Sequence, residues 1–190
     1  LRIPIFECEG WEADDVIGTV ARVCTEAAWD CVIVTGDRDS LQLVGDRVTV
    51  KLVITKSGQT TSTNYTPQLF KGEYAFAPPI LVDLKALMGD HSDNIPGVAG
   101  VGPKSATELL LRFGTLAGVY ENLQHDAIRP KLREKLETGR EMAFLSYKLA
   151  TIRTDAPIVF VPEACRCQEP DRAALCELFA RLEFVKLVGR

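Results

Sequence analysis

The sequence has few aromatic residues and no long hydrophobic run. Aromatic side chains make up only 7% of its 190 residues, so a folded core must be mainly aliphatic. No apolar stretch reaches the roughly 20 residues that a membrane-spanning helix needs, and the N-terminus lacks a signal-peptide pattern. Internal repeats and low-complexity segments are absent as well. These absences exclude membrane-spanning, fibrous and disordered classes, while 46% hydrophobic residues suffice for one sizeable core or two small ones.

The cysteine pattern favours free thiols over a zinc site or disulfide bonds. No two of the six cysteines have the C-x-x-C spacing of metal and redox motifs. Their neighbours are typical of helices or strands, so we expect reduced, buried or partly buried thiols in a cytosolic protein. The cysteines are Cys8, Cys24, Cys31, Cys165, Cys167 and Cys176.

Acidic residues crowd the first part of the chain, whereas bases are more frequent after residue 95. Residues 7–39 carry nine acids and two bases, a net charge of −7, and residues 95–140 carry seven bases and five acids, a net charge of +2. The overall charge of −4 argues weakly against a nucleic-acid partner. The uneven distribution favours a first part that holds cations and a second that tolerates phosphates. Ordinary solvated surface on both parts is the simpler alternative.

The first acidic motif lies at the start of a helix predicted over residues 12–28. Glu12, Asp14 and Asp15 fall in its first turn. Negative side chains at that place suit the helix dipole, which by itself explains their presence. The functional alternative is that the helix end presents several carboxylates to a metal ion.

The second acidic motif follows a short apolar run at residues 31–35. Because the run follows a helix and is continuously apolar, we predict a buried parallel strand. Asp37 and Asp39 then stand just beyond its carboxyl end, where open α/β sheets place their ligand sites. A polar turn explains one of these aspartates easily, but it explains two of them near an acidic helix start less well.

The third acidic motif opens the stretch from Gly89 to Ala106, around which the chain is organised. Asp90 and Asp93 supply hard oxygen ligands of the kind that Mg²⁺ or Mn²⁺ prefers. They lead into a glycine-rich hairpin, and Pro103 then stands where a helix favours its first residue. The free N–H groups of that helix suit a phosphate. For the hairpin alone, an acidic turn before an ordinary helix start is an equally good interpretation, because a Gly-x-Gly pair is a weak signal.

Hydrophobic periodicity predicts the other elements of the chain. Residues 48–54 and 60–64 are predicted as a β-hairpin, and residues 151–158 are expected to leave the helices and return to the sheet or its edge. Helices are predicted over residues 67–71, 79–88, 104–113, 115–122, 130–138, 140–152 and 171–182. In the last of these, a packed face is expected from Leu175, Leu178, Phe179 and Leu182.

Taken in order, the acidic motifs and the hairpin resemble the bacterial 5′-nuclease family. That family includes the N-terminal 5′→3′ exonuclease domain of DNA polymerase I and is related to flap endonucleases. The resemblance covers essentially the whole chain, and the tail resembles the end of that domain, so a polymerase domain is expected to follow. The motifs are Glu12-Ala-Asp14-Asp15, Thr35-Gly-Asp37-Arg-Asp39 and Gly89-Asp90-His-Ser-Asp93-Asn-Ile-Pro-Gly-Val-Ala-Gly-Val-Gly102-Pro-Lys104-Ser-Ala106.

The resemblance implies a fold and an activity. The fold is α/β, with a PIN-like, partly parallel sheet and flanking helices, plus an all-helical helix–hairpin–helix module. The activity is metal-dependent hydrolysis of DNA phosphodiesters at 5′ ends and flaps, by a monomeric, cytoplasmic protein of replication and repair. The expected domains are the nuclease core at residues 1–95, the DNA-binding module at 96–150 and a segment returning to the core at 151–190.

The resemblance also implies roles for the motif residues. The expected catalytic group is Asp37, Asp39 and Asp93, within a two-metal site for Mg²⁺ or Mn²⁺. One metal ion is expected at Glu12, Asp14 and Asp15, with Asp37 between the two ions, Asp39 and Asp93 at the second, and Asp90 as its outer ligand. Family members often bind K⁺ at the hairpin through main-chain carbonyls. DNA binding is expected from Gly97, Gly100, Val101, Gly102, Lys104 and Ser105.

Part of the family pattern has no counterpart in this sequence. Family members begin with a strand that carries a first metal-binding aspartate, followed by a helical arch with basic residues, and nothing of that kind precedes Glu12. We therefore expect negligible nuclease activity from these 190 residues alone. Two alternatives stay open. One is a catalytically incomplete module that only binds duplex DNA, and the other is a phosphate-handling Mg²⁺ enzyme, which leaves the helical module unexplained.

Overall fold

The computed structural model describes residues 2–188, in which one helix precedes a three-stranded sheet and a set of helices follows it. Strands β1 to β3 span Cys31–Thr35, Val48–Lys56 and Gln59–Tyr65. Helices α1 to α9 span Ala13–Glu26, Pro67–Tyr74, Ile80–Met88, Pro103–Phe113, Leu116–Glu121, Pro130–Thr138, Arg140–Ala150, Arg172–Arg181 and Val185–Val188. Short 3₁₀ helices cover Asp39–Leu43 and Pro162–Cys165. The predicted fold class, a partly parallel α/β sheet with a helical module, is confirmed.

The sheet has the order β1-β2-β3, with β1 parallel to β2 and β2 antiparallel to β3. The prediction that β1 is buried on both faces is wrong. Ile33 faces the core, but Val32 and Val34 are 62% and 65% exposed. Alternate residues of a strand point to opposite faces, and no part of residues 2–188 covers the face of these two valines.

One cluster of buried side chains runs from the sheet into the helices. It includes Val50 of β2, Leu87 of α3, Leu116 of α5 and Leu136 of α6. Fully burying an aliphatic side chain of this size stabilises a fold by about 1.5–3 kcal/mol. The sheet edge and the helical module are therefore held in one fixed arrangement by a shared core.

The segment after α7 packs along α1 and does not return to the sheet as predicted. The backbone N–H of Ala156 donates to Thr19 Oγ1 at 2.9 Å. A Cβ on Gly18 would lie 2.8 Å from Ile152 Cγ2, so the close approach of this segment to α1 requires a glycine. The prediction was wrong because side chains of α1 satisfy the backbone groups that a strand would otherwise pair.

Helix α8 forms where the sequence predicts it, but of the expected face only Leu175 and Phe179 are partly buried. Asp171 caps it by accepting the N–H of Ala174 at 3.1 Å. None of its residues is buried among the described part of the chain, and Leu178 and Leu182 are exposed. The spacing of its leucines correctly predicts a helix, but hydrophobic periodicity carries no information on whether another surface packs against that face.

The six cysteines are free, and they differ in exposure. Cys24 is buried, and Cys8, Cys31 and Cys165 are partly buried. Cys167 and Cys176 are exposed, so the expectation of burial is wrong for these two. Within residues 2–188, every helix is too short or too polar to cross a membrane.

Candidate functional site

Asp37 and Asp39 lie where β1 ends, and local hydrogen bonds set their directions. The N–H of Asp37 donates to Thr35 Oγ1 at 3.0 Å, and the N–H of Asp39 donates to Asp37 Oδ1 at 2.9 Å. An aspartate side chain that accepts the backbone N–H of the residue two positions later forms an Asx turn. This turn starts the 3₁₀ helix at Asp39 and brings both carboxylates to the carboxyl end of the strand, as predicted.

Asp90 and Asp93 are presented by a tight loop between α3 and the hairpin. The backbones of Asp90 and Ile95 exchange two hydrogen bonds of 2.8 Å, which close the loop. Asn94 adopts a φ of 55°, a left-handed conformation that asparagine tolerates better than most residues. Asp90 Oδ1 accepts hydrogen bonds from the N–H and the hydroxyl of Ser92. The loop therefore fixes the orientation of the Asp90 carboxylate.

Carboxylates from the strand end and from this loop converge. Asp39, Asp90 and Asp93 each offer an oxygen within 4.8 Å of the others. Their side chains are 17%, 19% and 46% exposed, so the group runs from a covered floor to an open rim. Asp37 lines the same surface depression, whose volume is about 510 Å³. Residues that are far apart in sequence thus form one acidic cleft, defined by Asp37, Asp39, Asp90 and Asp93.

The amino group of Lys85 lies within the acidic cleft. Its Nζ contacts Asp39, and it lies 2.6 Å from Asp90 Oδ2 and 3.6 Å from Asp93 Oδ2. The lysine side chain is only 7% exposed. Sequence reasoning missed this residue, although a single lysine in the apolar helix 80–88, just before an acidic motif, was a usable signal. A buried ammonium group offsets the repulsion among the carboxylates.

The shared lysine shifts the pKa values of its partners in different directions. At Asp39, burial raises the pKa against the opposing effect of Lys85, and the neighbouring aspartates add to the rise. At Asp90, burial also acts to raise the pKa, but hydrogen bonds, first that of Lys85, outweigh it and lower the pKa to about 2. Burial acts to lower the pKa of Lys85, but its hydrogen bonds to Asp39 and Asp90 and their charges outweigh burial and raise it. A further cation beside Asp39 would lower its raised pKa, because positive charge stabilises the ionised carboxylate.

Asp14 at the start of α1 belongs electrostatically to the acidic cleft. Burial is the largest cause of its raised pKa, and the charges of Asp37, Glu12, Asp15 and Asp93 add to it. The influence of Asp37 and Asp93 places Asp14 next to the cleft. The predicted role of Asp14 as a metal ligand stays a prediction.

Glu12 and Asp15 lie outside the group formed by Asp39, Asp90 and Asp93, and their predicted role at the other metal ion stays a prediction. They line a neighbouring depression of about 520 Å³ together with Tyr147 and Arg153. Asp15 Oδ1 accepts the backbone N–H of Arg153 at 2.8 Å. Because the segment after α7 uses the Asp15 carboxylate, this residue is tied to the packing of α1, and it is not in the acidic cleft.

The hairpin, residues 97–102, is a tight turn that leads into α4. Val101 donates its N–H to the carbonyl oxygen of Val98 at 3.0 Å, and both valine side chains are buried. Gly100 adopts a φ of 76°, which favours glycine. The side chain and the N–H of Val101 are both used within the fold, so its predicted role in DNA binding would have to use its carbonyl group.

Gly97 is likewise used for packing. Its N–H donates to Ser146 Oγ at 3.0 Å in a buried position. A Cβ on Gly97 would lie 2.2 Å from the backbone nitrogen of Gly89, so no side chain fits there. The acidic loop and the hairpin are therefore joined by two glycine backbones in direct contact.

The start of α4 is the open part of the hairpin region. Gly102 is the N-cap of α4, and no side chain caps the helix there. The first N–H groups of a helix have no partner within it, so they are available to an anion. Gly100, Gly102 and Lys104 are exposed and Ser105 is partly buried, which leaves these four predicted DNA-binding residues accessible.

Family models match both halves of the chain. The model described as "5'-3' exonuclease, N-terminal resolvase-like domain" matches residues 1–75, and "5'-3' exonuclease, C-terminal SAM fold" matches residues 76–173. DNA polymerase I of Caldicellulosiruptor bescii is 46% identical over 189 residues, which are 100% of this chain and 22% of that protein. DNA polymerase I of Bacillus caldotenax is 46% identical over 184 residues, 96% of this chain and 20% of that protein. The chain spans about a fifth of the length of these curated relatives.

Solved structures with the same fold include nucleases. A T5 5′-exonuclease structure with bound zinc is 25% identical, with a TM-score of 0.65, over 77% of this chain and 52% of that chain. The catalytic core of Rad2 in complex with DNA substrate is 19% identical, with a TM-score of 0.53, over 88% of this chain and 56% of that chain, and it shows likeness of fold alone. Because the two family models together match residues 1–173, the chain belongs to the 5′-3′ exonuclease family.

Proposed function

We propose that the protein is a divalent-metal-dependent 5′→3′ exonuclease and flap endonuclease that hydrolyses DNA phosphodiesters at 5′ ends. The observation that carries the proposal is the convergence of Asp39, Asp90 and Asp93 within 4.8 Å in a chain of the exonuclease family. The relatives named DNA polymerase I support a polymerase region after this domain in the whole protein. In that setting the activity would serve replication and repair.

The donor set of the acidic cleft fits Mg²⁺ or Mn²⁺. Carboxylate oxygens are the ligands that these ions prefer, whereas zinc favours nitrogen and sulfur ligands. Asp39, Asp90 and Asp93 would hold one ion, and Asp37 and Asp14 would hold or attract a second. When bound, a divalent ion would supply an activated water molecule and offset the negative charge that develops on the phosphate.

The residues of the chain itself prepare the site. Without a metal ion, Lys85 keeps Asp39 and Asp90 close together, because its ammonium group offsets their repulsion, and an ion bound among these aspartates would displace that group. The Ser92 hydrogen bonds orient Asp90, and the Asp37 turn orients Asp39. Such fixed orientation matters, since a displacement of about 1 Å can cost on the order of a hundredfold in rate.

The hairpin and the start of α4 would hold the DNA backbone. Gly102 leaves room for a phosphate, and Lys104 adds a positive charge beside the free N–H groups. Contacts of this kind carry no base information, so binding would not depend on sequence. Because Gly97 packs against Gly89, a phosphate held at the hairpin lies on the same rigid unit as the acidic loop.

Several finer parts of the proposal rest on the resemblance. They are the division of the chain at residues 95 and 150, a monomeric state and a cytoplasmic location. K⁺ at the hairpin is a further prediction of this kind. Three hairpin carbonyls, those of Val98, Gly100 and Gly102, already accept hydrogen bonds, so K⁺ would have to share these or use the others.

A cleavage assay with the full-length protein tests the proposal. The substrate is a 5′-labelled duplex with a flap, incubated with Mg²⁺, with Mn²⁺ or with EDTA. We expect metal-dependent release of the labelled 5′ product, lost in Asp39→Asn. The matched control is Asp46→Asn, an exposed aspartate just before β2 and therefore at the opposite end of the parallel strand pair. Cutting that persists in EDTA, or in Asp39→Asn, would contradict the proposal.

A second candidate function is a DNA-binding module without catalysis, and it applies to the 190 residues on their own. The observation that favours it is the uncovered face of β1 beside the acidic cleft, with Val32 and Val34 exposed. The same assay separates the two functions. Duplex binding without cutting by the 190-residue chain, while the full-length protein cuts, would assign this second function to the chain alone.

A further inference from the structure

The tip of the hairpin is held by a lysine from a distant helix. Lys135 of α6 donates from Nζ to the carbonyl oxygen of Gly100 at 2.9 Å. Its side chain passes directly over the glycine, since a Cβ on Gly100 would lie 2.8 Å from Lys135 Nζ and 3.1 Å from Cε. Its φ of 76° favours a glycine at this position, and any side chain there would push the end of Lys135 away from the hairpin.

The base of the hairpin does not need this lysine. Val98 is buried, and its N–H donates to the carbonyl oxygen of Leu87 at 2.9 Å. Val101 is also buried. Ala99 and Gly100, by contrast, are exposed. The Lys135 hydrogen bond is thus the contact that reaches the exposed tip from outside the hairpin in the described part of the chain.

The position of the Gly100 carbonyl matters for an approaching phosphate. This carbonyl belongs to the peptide bond between Gly100 and Val101, and the N-cap residue Gly102 follows directly. A carbonyl oxygen carries a partial negative charge, which would repel a phosphate that binds the N–H groups at the start of α4. The ammonium group of Lys135 offsets that charge and, by its hydrogen bond, restricts rotation of the peptide plane.

We propose that Lys135 is a positioning residue for the DNA backbone, which fixes the Gly100–Val101 peptide so that the N–H groups at the start of α4 meet a phosphate. The inference rests on the proposed function of the hairpin as a backbone-binding surface. This role differs from non-specific attraction of DNA by a positively charged surface residue, because such attraction would not require a hydrogen bond from Lys135 to the hairpin.

The chain supplies a matched control in Lys131. Both lysines are exposed residues of α6, and both line a groove of about 720 Å³ beside the hairpin. They lie one helical turn apart, and the hydrogen bond to Gly100 comes from Lys135. Removing the charge of either lysine should weaken the long-range electrostatic attraction to DNA equally. Only the loss of Lys135 should also break the hydrogen bond that holds the Gly100 carbonyl.

The test measures duplex binding by the full-length protein by fluorescence anisotropy, from low to high salt, without divalent metal. We expect Lys131→Met to lose affinity only at low salt, since general attraction is screened. Lys135→Met should lose about tenfold at every salt concentration, because a misplaced peptide is not restored by ions. Lys135→Arg should recover most of the affinity, since it keeps both the charge and a donor.

Amide hydrogen exchange of the DNA-free protein supplies a second readout. The N–H of Val101 should exchange at least several-fold faster in Lys135→Met and at the wild-type rate in Lys131→Met. Equal losses of duplex affinity in the two Met variants, with the same salt dependence, would overturn the inference while leaving the proposed function intact. Failure of the wild-type protein to bind duplex DNA would overturn both.

Discussion

The acidic cleft and the hairpin are neighbours, but they are built in opposite ways. The cleft gathers carboxylates from the end of β1 and from the loop after α3, and a buried lysine of α3 contacts three of them. The hairpin consists of consecutive residues, 97–102, and two buried valines and backbone hydrogen bonds hold it. The two regions meet where the backbones of Gly89 and Gly97 touch.

The difference indicates how each region should fail. The cleft should respond to changes of charge that leave the shape intact, because its members repel one another. The hairpin should respond to an added Cβ or a displaced peptide, because its binding groups are in the main chain. The following predictions test this contrast, from the largest expected effect to the smallest.

Lys85→Met should cause the largest loss of stability in the absence of divalent metal. Removing one partner of a buried ion pair costs about 3 kcal/mol or more, which is a fall in Tm of roughly 6–12 °C for a domain of this size. A divalent ion should restore much of the loss, because it replaces the missing positive charge.

Thermal melts of Lys85→Met and wild type, each in EDTA and in Mg²⁺, measure this effect. Lys85→Arg is the control, since it keeps the charge and should melt closer to wild type. A Tm of Lys85→Met in EDTA equal to that of wild type would show that the carboxylates do not need the lysine.

Asp93→Asn should abolish cleavage while leaving DNA binding in place. Asp93 lies at the open rim, so the fold should tolerate the change, but the cleft loses one of its three converging carboxylates. Loss of a group that only hydrogen-bonds to a metal ligand commonly lowers metal affinity or activity 10- to 100-fold. For a carboxylate of the cleft itself we therefore expect the cleavage rate to fall by at least about a hundredfold. Single-turnover cleavage and duplex affinity, measured side by side, check the prediction, and a parallel loss of both would mean that the two regions are not separable.

Gly102→Asp should weaken duplex binding by about tenfold with the fold intact. Gly102 has an ordinary negative φ of −99° and no atom within 4 Å of a built Cβ, so a side chain fits there. Aspartate is a good N-cap, hence α4 should be retained or stabilised, but its charge competes with a phosphate. Gly102→Asn is the control, because it caps the helix without the charge. Equal affinities of the two variants would remove the start of α4 from the DNA-binding surface.

Asp15→Asn should have the smallest effect on divalent-metal binding, and its neighbour provides the contrast. Asp14 is coupled to the cleft by charge, whereas Asp15 accepts a hydrogen bond from the Arg153 backbone. Titration calorimetry with Mn²⁺ should show a several-fold weaker affinity for Asp14→Asn and an affinity within about twofold of wild type for Asp15→Asn. The reverse order would place Asp15 in the metal site after all.

The features predicted best from the sequence are helix ends and turns, because residues close together in the chain determine them. Helix α4 runs from Pro103 to Phe113, against a predicted span of 104–113, and Pro103 is its first residue as the sequence indicated. Thr66 caps α2 by accepting the N–H of Leu69, next to the predicted helix start at residue 67. The turn at Ser57 and Gly58, with φ of 52° and 79°, lies between the two strands of the hairpin predicted over residues 48–54 and 60–64. Capping, turn and helix-end signals act over a few residues, so one sequence is enough to recognise them.

Features that depend on distant partners were predicted poorly. The exposed Val32 and Val34, the packing of residues 151–156 on α1 and the exposed face of α8 depend on which surfaces meet. Lys85 was missed for the same reason, because its meaning appears only when α3 lies beside Asp39. The acidic motifs themselves were visible, but only the fold separates the cleft residues from Glu12 and Asp15.

The central claim is that carboxylates from separate parts of the chain form one divalent-metal site. An anomalous difference map from crystals soaked in Mn²⁺ tests it most directly. The account predicts a peak roughly 2.1 Å from carboxylate oxygens of Asp39, Asp90 and Asp93, with the Lys85 ammonium group moved away from its present position. A crystal that binds Mn²⁺ elsewhere on the protein, with Lys85 unmoved and no peak among these three residues, would contradict it.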